Sequence, residues 1–382
     1  MAPKSILVTG ASGYIGGAFL ATLLDGSNEW VSDYHISVLV RTKDQADFAC
    51  AKNITPVLFE SFDESELLTR IGQDFDSMSS PGAHLSVLSS TTVIVHTGQG
   101  WHPTAAKSLI SGQEKRQREL GQKVHFLSIS GTSNFSDRLV TGEFIDNRVK
   151  SDEEDMYAYE KYRESFEHYP QRTTDVTIVE HGERAGVPTY IVIPPIIHGT
   201  GRGEFNKFTF QLPTMVAAAK KYGYVAMIGE GRSVYNHIHV EDIASLLNTL
   251  LARIHNEQEI PSGKQKRGAY VRFLYAQALA TVLKERGLIE SDEVKSLDLP
   301  AVADLYMPGL PLTLGQLPFA GRSSHYLLRR KLTYQGCSGP QTRMEPEAYR
   351  LLINLGQEVD DCLALTATES ALEKLQASFG TQ

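Results

Sequence analysis

Six short apolar runs punctuate the first half of the chain, at residues 5–9, 35–40, 55–59, 92–97, 124–129 and 189–193. Within them apolar residues follow one another almost without a break, as in Ile6-Leu7-Val8 and Val93-Ile94-Val95. A strand wetted on one face alternates, whereas one covered on both does not, so these runs predict the strands of a parallel sheet sandwiched between helices. The stretches between them are helical in pattern, and regular alternation of strand and helix predicts a doubly wound α/β fold. A seventh strand is expected at 270–275, followed by a helix from Ala276 to about Arg286 that Gly287 closes as its cap. From 297 to 318 the chain turns into a Pro, Leu and Gly mixture with little periodicity. Helical spacing returns over 345–378, with Leu363, Leu365, Leu372 and Leu375 as candidate core positions. The expected organisation is a larger domain over residues 1–200, to which 234–290 return, and a smaller lobe from 201–233 and 291–382.

Composition narrows the partners. Of 382 residues, 41% are apolar, and 45 acidic residues outweigh 37 basic ones for a net charge of −8, so no positive field draws nucleic acid or an anionic membrane. Three cysteines, Cys50, Cys337 and Cys362, form neither a C-x-x-C pair nor a disulfide scaffold. Met1-Ala2-Pro3-Lys4 leads into only three apolar residues before Thr9-Gly10, which reads as a first strand rather than a secretory leader, and no apolar run approaches the roughly 20 residues of a membrane span. A cytosolic protein with a small-molecule substrate is expected.

The first strand runs into Gly10-Ala11-Ser12-Gly13-Tyr14-Ile15-Gly16 and then into a helical pattern. Glycines at a strand-to-helix turn permit a tight bend and let backbone N–H groups approach a pyrophosphate, which the helix N-terminus also attracts. The spacing is G-x-x-G-x-x-G, a variant of the dinucleotide fingerprint of the Rossmann-type fold. The second strand ends in Arg41 rather than an acidic residue. A guanidinium cannot accept from a ribose 2′-OH but pairs with a 2′-phosphate, which favours NADP over NAD. Ser61 and Phe62, after the third strand, are expected near the adenine, and Thr97 and Gly98, after the fourth, on the ribose side.

With these residues in place the chain resembles the extended branch of the short-chain dehydrogenase/reductase superfamily, which holds epimerases, dehydratases and NADPH-dependent ketone reductases. The resemblance rests on Val8 to Gly16, on Tyr190-Ile191-Val192-Ile193-Pro194-Pro195-Ile196-Ile197-His198-Gly199, and on Asn236-His237-Ile238-His239-Val240-Glu241-Asp242-Ile243-Ala244. It covers most of residues 1 to about 290 and implies that Gly10, Ser12, Gly13, Tyr14, Ile15, Gly16, Arg41, Ser61, Phe62, Thr97, Gly98 and Pro194 contact the cofactor. It also implies acid–base catalysis beside a nicotinamide: a Ser or Thr after the fifth strand holds the substrate oxygen, a Tyr moves the proton, and a Lys four residues later binds the ribose and lowers the tyrosine pKa. Ser130 fits the first role, at the strand exit where open α/β sheets place ligands.

Two placements of the Tyr and Lys remain. Tyr157 and Lys161 form a literal Y-x-x-x-K on one helical face. However, the stretch from there to the sixth strand is long and Pro170 interrupts it, so two helices are expected where one is usual. Counting back from Thr189 instead puts residues 167–169, with Tyr169, at the tyrosine slot and residues 171–173, with Arg172 as nearest cation, at the lysine slot. The leading expectation is an NADPH-dependent reductase of a small carbonyl, with Tyr157 as proton donor. The alternatives are a non-redox isomerase, epimerase or cyclase with a degenerate pair, and a non-catalytic NADP-binding sensor. His237 and His239 fall short of a metal-ligand set. His198 and the loop from Gly201 to Asn206 are expected at the substrate edge. A homodimer through the helix that includes residues 105–120 is a further expectation.

Overall fold

The computed structural model describes residues 4–73, 90–136, 150–151, 155–228 and 237–258, with later pieces at 260, 283–284, 287–291, 294–297, 301 and 326–327. Six strands form one parallel sheet: β1 (Lys4–Thr9), β2 (Tyr34–Val40), β3 (Thr55–Leu58), β4 (Ser90–His96), β5 (His125–Ile129) and, after a two-residue strand β6 (Lys150–Ser151), β7 (Thr189–Val192). Their order is β3-β2-β1-β4-β5-β7, so the winding reverses between β1 and β4 and opens a crevice at their C-terminal ends.

Burial on both faces explains the unbroken apolar runs. Successive side chains of a strand point to opposite faces. Ile6 and Val8 therefore join one core with Val38, Val93, Val95 and Leu127, under α1 (Tyr14–Leu23), α2 (Lys43–Ala51) and α8 (Val240–His255). Leu7, Leu39, Ile94 and Phe126 join the other, under α3 (Ser65–Gln73), α4 (Pro103–Leu120) and α6 (Pro170–Ala185). Two helices do lie between β5 and β7: α5 (Met156–Glu164) comes first, and Pro170 occupies the first turn of α6, where its missing N–H costs no hydrogen bond.

Beyond β7, β8 (Ile196–His198) pairs in parallel with β10 (His237–His239), and α7 (Gln211–Tyr222) leads to β9 (Val225–Ile228), which pairs with β11 (Val294–Leu297). A last short strand, β12 (Tyr326–Leu327), pairs with β6. Gly287 takes φ +67°, its N–H bonds to Lys284 O and that of Leu288 to Leu283 O, the paired bonds of a helix-closing glycine. The expected strand at 270–275, residues 276–282 of its helix, the 302–318 part of the Pro-rich stretch and the segment 345–378 with its four leucines lie outside the described residues. So do Asn236, Cys337 and Cys362. Cys50 is exposed. No helix among the described residues is long and apolar enough to cross a membrane.

Candidate functional site

The crevice is built where the β1 and β4 exits touch. Thr97 Oγ1 donates to Thr9 O at 2.6 Å, and Thr9 Oγ1 meets His96 Nδ1 at 2.7 Å. Gly10 sits at φ +73°, and a Cβ there would lie 2.7 Å from Gly98 N and 2.8 Å from Thr97 C. At Gly16 a Cβ would collide with Gly10 O and Thr97 Oγ1. These glycines are therefore demanded by the approach of two loops, and the turn they make ends in an open helix N-terminus. Gly13 caps α1 without a side-chain bond, and no acidic residue occupies its first turn. The positive end of a helix dipole with no acidic residue in its first turn suits an anion.

The neighbouring exits wall this turn. Arg41 at the end of β2 is exposed, its N–H held by Gln45 Oε1 at 2.9 Å, while Thr42 caps α2. After β3, Glu64 Oε1 accepts from the N–H groups of Glu60 and Ser61, and Ser61 Oγ donates to Asp63. The Phe62 ring packs edge-on against Phe59 and His96 and lies against Gly98, where a Cβ would come within 2.7 Å of it. His102 ties the β3 and β4 exits together: its Nδ1 accepts from Ala105 N, which leaves Nε2 to donate to Asp63 Oδ1 at 3.0 Å. Burial without a counter-charge pushes the His96 imidazole down to about 4, so it stays neutral.

Residues 199–207 cross the glycine-rich turn. Tyr14 spends its hydroxyl on Gly199 O, Asn206 N donates to Ser12 O, Gly203 packs on Gly17 and Phe205 stacks edge-on against Phe48 of α2. Arg202 is held by Glu241 at 2.8 Å and Thr22 at 2.7 Å. The loop expected at the substrate edge is thus fastened to α1, α2 and α8. Ile15 packs into the core beside it. His239 caps α8 through Nδ1 and crosses the ring of His198.

At the β5 exit, Ser130 N donates to Val192 O, and Thr132 N to Pro194 O, which fastens Pro194 beside this loop. The Ser130 hydroxyl donates to Asp175 Oδ2 of α6 at 2.5 Å. Gln171, in the first turn of α6, accepts from Ser133 Oγ at 2.6 Å and stands between the β4 and β5 exits, near Gly100 and Gly131. Tyr169 lies beside Ser133 with the Arg172 guanidinium 5.5 Å from its ring centroid, and burial pushes its hydroxyl up to about 12.

The literal pair lies elsewhere. Tyr157 donates to Glu180 Oε1 at 2.9 Å, and Lys161 reaches the same oxygen at 2.7 Å. Glu180 is five residues beyond Asp175, about 140° around α6 and 7.5 Å along it. The structure therefore brings Ser130, Gln171 and Tyr169 together at the β5 exit and leaves Tyr157 and Lys161 on another side of α6. Asn134, Glu160 and Asp175, which surround Ser130, escaped the sequence reading. Their only signal is that Glu160 shares a helical face with Arg163 and Glu164, charges that pattern alone assigns to solvent.

No family model matches the chain. It is 24% identical over 322 residues to the oxidase ucsJ of Acremonium sp., a span that covers 79% of this chain and 85% of that protein. Among solved structures it is similar to the terminal R domain of the myxalamid PKS-NRPS pathway (TM-score 0.55, 17% identity, 95% of this chain and 91% of that one). It is also similar to vestitone reductase from alfalfa, Medicago sativa (0.50, 15%, 94% and 98%), and to a UDP-N-acetylglucosamine 4-epimerase from Methanobrevibacter ruminantium (0.50, 14%, 94% and 98%). The doubly wound sheet, its strand order and these likenesses together show that the chain has the fold of the extended short-chain dehydrogenases/reductases.

Proposed function

We propose that the chain is an enzyme that binds NADP(H) at the β1–α1 turn and reduces the carbonyl of a small organic molecule at the β5 exit. The observation that carries this reading is the cradle at Gly10 and Gly16, where side chains would collide, beside a helix that begins at Gly13 with no side-chain cap. Gly13 and the first N–H groups of α1 would hold the pyrophosphate, Phe62 and Ser61 the adenine side, and Thr97 and Gly98 the ribose side. Arg41, exposed at the β2 exit, would pair with a 2′-phosphate. When bound, the nicotinamide supplies hydride. Ser130 would hold the substrate oxygen. A reductase among the fold neighbours, and a relative named an oxidase, support redox chemistry.

A second reading is a non-redox isomerase or epimerase that keeps the cofactor bound. It is favoured by the engagement of Tyr157 and Lys161 with Glu180 and by the epimerase among the fold neighbours.

Fluorescence titration reads cofactor binding, since Trp101 lies just past the β4 exit. NADPH is expected to quench at lower concentration than NADH, and the protein is expected to consume NADPH with members of a ketone and aldehyde panel. Absence of binding by either nucleotide would overturn the reading. Conversion of a substrate without net NADPH loss would replace it with the second.

A further inference from the structure

Four polar side chains are sealed between the β5 exit and the α5–α6 pair: Ser130, Asn134, Glu160 and Asp175 are 6, 0, 4 and 1% exposed. Ser130 Oγ donates to Asp175 Oδ2 at 2.5 Å. Asn134 Nδ2 faces Asp175 Oδ2 at 2.7 Å, Glu160 Oε1 at 2.8 Å and Ser130 Oγ at 3.2 Å. An amide nitrogen carries two hydrogens, so two carboxyl groups stand across a single NH2. The nearby cations are directed elsewhere. Arg163 bonds to Ser136 O and Glu167, whereas Arg172 bonds to the main-chain oxygens of Asn134 and Glu167 and lies 3.6 Å from Glu164. Among the described residues neither Glu160 nor Asp175 is in an ion pair.

Two carboxylates in a dry site without a paired cation do not both ionise, as their repulsion and the loss of hydration each favour a retained proton. Burial accordingly pushes Glu160 up to about 7, and burial together with the neighbouring Glu160 raises Asp175 well above the usual carboxylate range. The charged and titratable groups around the pair are Arg163 and Glu164 from α5 and Tyr169 and Arg172 from α6.

We propose that Asp175 and Glu160 hold one proton between them and that Asp175 relays it to Ser130, whose hydroxyl gives its own proton to the substrate oxygen at the β5 exit. The relay rests on the preceding functional reading for its hydride donor and for a substrate oxygen to protonate, whereas the shared proton does not. In the reducing direction the Ser130 hydroxyl turns from Asp175 Oδ2 to the substrate oxygen, and its O–H bond breaks as the substrate O–H bond forms. Oγ then takes the pair's one proton, by way of Asp175. The doubly ionised pair that this leaves is the unfavourable state, held only until a proton returns from water, while the electrons come from the dihydronicotinamide. Asp175 and Glu160 are positioning residues in this scheme, and Ser130 is the catalytic one.

Carboxyl 13C NMR of the full chain labelled at Asp and Glu tests the shared proton without cofactor. One of the two groups is expected to stay protonated past pH 7, and Ser130→Ala is expected to raise the Asp175 titration by removing a donor. Two independent titrations near the ordinary value of about 4 would overturn the proposal. The relay is read from NADPH consumption with the carbonyl panel. Asp175→Asn, which keeps the shape, is expected to lower kcat about a hundredfold at unchanged KM and to erase the alkaline limb of the pH profile, with Glu160→Gln doing so to a lesser degree. An unaltered kcat and pH profile in a folded Asp175→Asn protein would overturn the relay. A shared proton that responds to Ser130→Ala supports the unit even if NADPH does not bind or no carbonyl is consumed, outcomes that count against the reductase reading alone.

Discussion

Replacing Gly10 by alanine tests whether the close approach of the β1 and β4 exits is what the glycine serves. Two costs add at this position. A Cβ at φ +73° carries the left-handed penalty of about 1–2 kcal/mol. The same Cβ lies 2.7–2.9 Å from three backbone atoms of Thr97 and Gly98, an overlap that only backbone movement relieves, worth about 1–3 kcal/mol more. The sum, about 2–5 kcal/mol, is a large part of the roughly 5–15 kcal/mol that holds a domain folded. Gly26 supplies the control. It sits at φ +81° with nothing within 4 Å of its Cβ position, so Gly26→Ala should cost only the backbone part, about 1–2 kcal/mol. Urea unfolding followed by tryptophan fluorescence reads both variants against the parent. NADPH at a hundred times its Kd should add about 2.7 kcal/mol to the parent and to Gly26→Ala, but far less to Gly10→Ala. If Gly10→Ala loses no more stability than Gly26→Ala, the Gly98 loop yields freely and the steric reasoning fails.

Arg41→Ala should weaken NADPH binding by about ten- to a hundredfold, the worth of a charge-assisted bond, and leave NADH binding unchanged; parallel fluorescence titrations decide. Tyr157→Phe should cost about 0.5–1.5 kcal/mol through its bond to Glu180, and adding Glu180→Gln should cost less than the sum of the two; loss of turnover at full stability would instead place the hydroxyl in the chemistry. His96 is held neutral, with its folded pKa below the unfolded one. Its contribution is complete above about pH 6.5 and is lost as pH falls through about 4. Stability curves should therefore show the parent losing about 3 kcal/mol more than His96→Gln across that window.

The parts of the fold that were legible are those where one physical requirement acts alone. A strand buried on both faces must be apolar throughout, and the expected runs at 5–9, 55–59 and 189–193 became Lys4–Thr9, Thr55–Leu58 and Thr189–Val192, within a residue at each end. Pro170 cannot continue a helix but can begin one, and it begins α6. The site was harder because its decisive contacts depend on how α5 turns against α6. Spacing puts Tyr157 and Lys161 on one face of a helix, yet nothing in spacing says that this face meets Glu180 rather than Ser130. Nothing in the spacing of Glu160 and Asp175 sets them apart from solvated charges, and only the packing of two helices over the β5 exit removes their water.

The fastening of residues 199–207 over the glycine-rich turn bears on how such a protein tolerates exchange of parts. Arg202 leans on Thr22 and Glu241, Phe205 on Phe48, and the Asn206 N–H on Ser12, partners that stand far earlier or later in the chain. A graft that imports this segment from a protein with another substrate brings side chains shaped for that protein's α1, α2 and α8. Loop and glycine-rich turn are therefore not separable modules here: a swap that keeps both in place must carry Thr22, Phe48 and Glu241, or their equivalents, along with the loop.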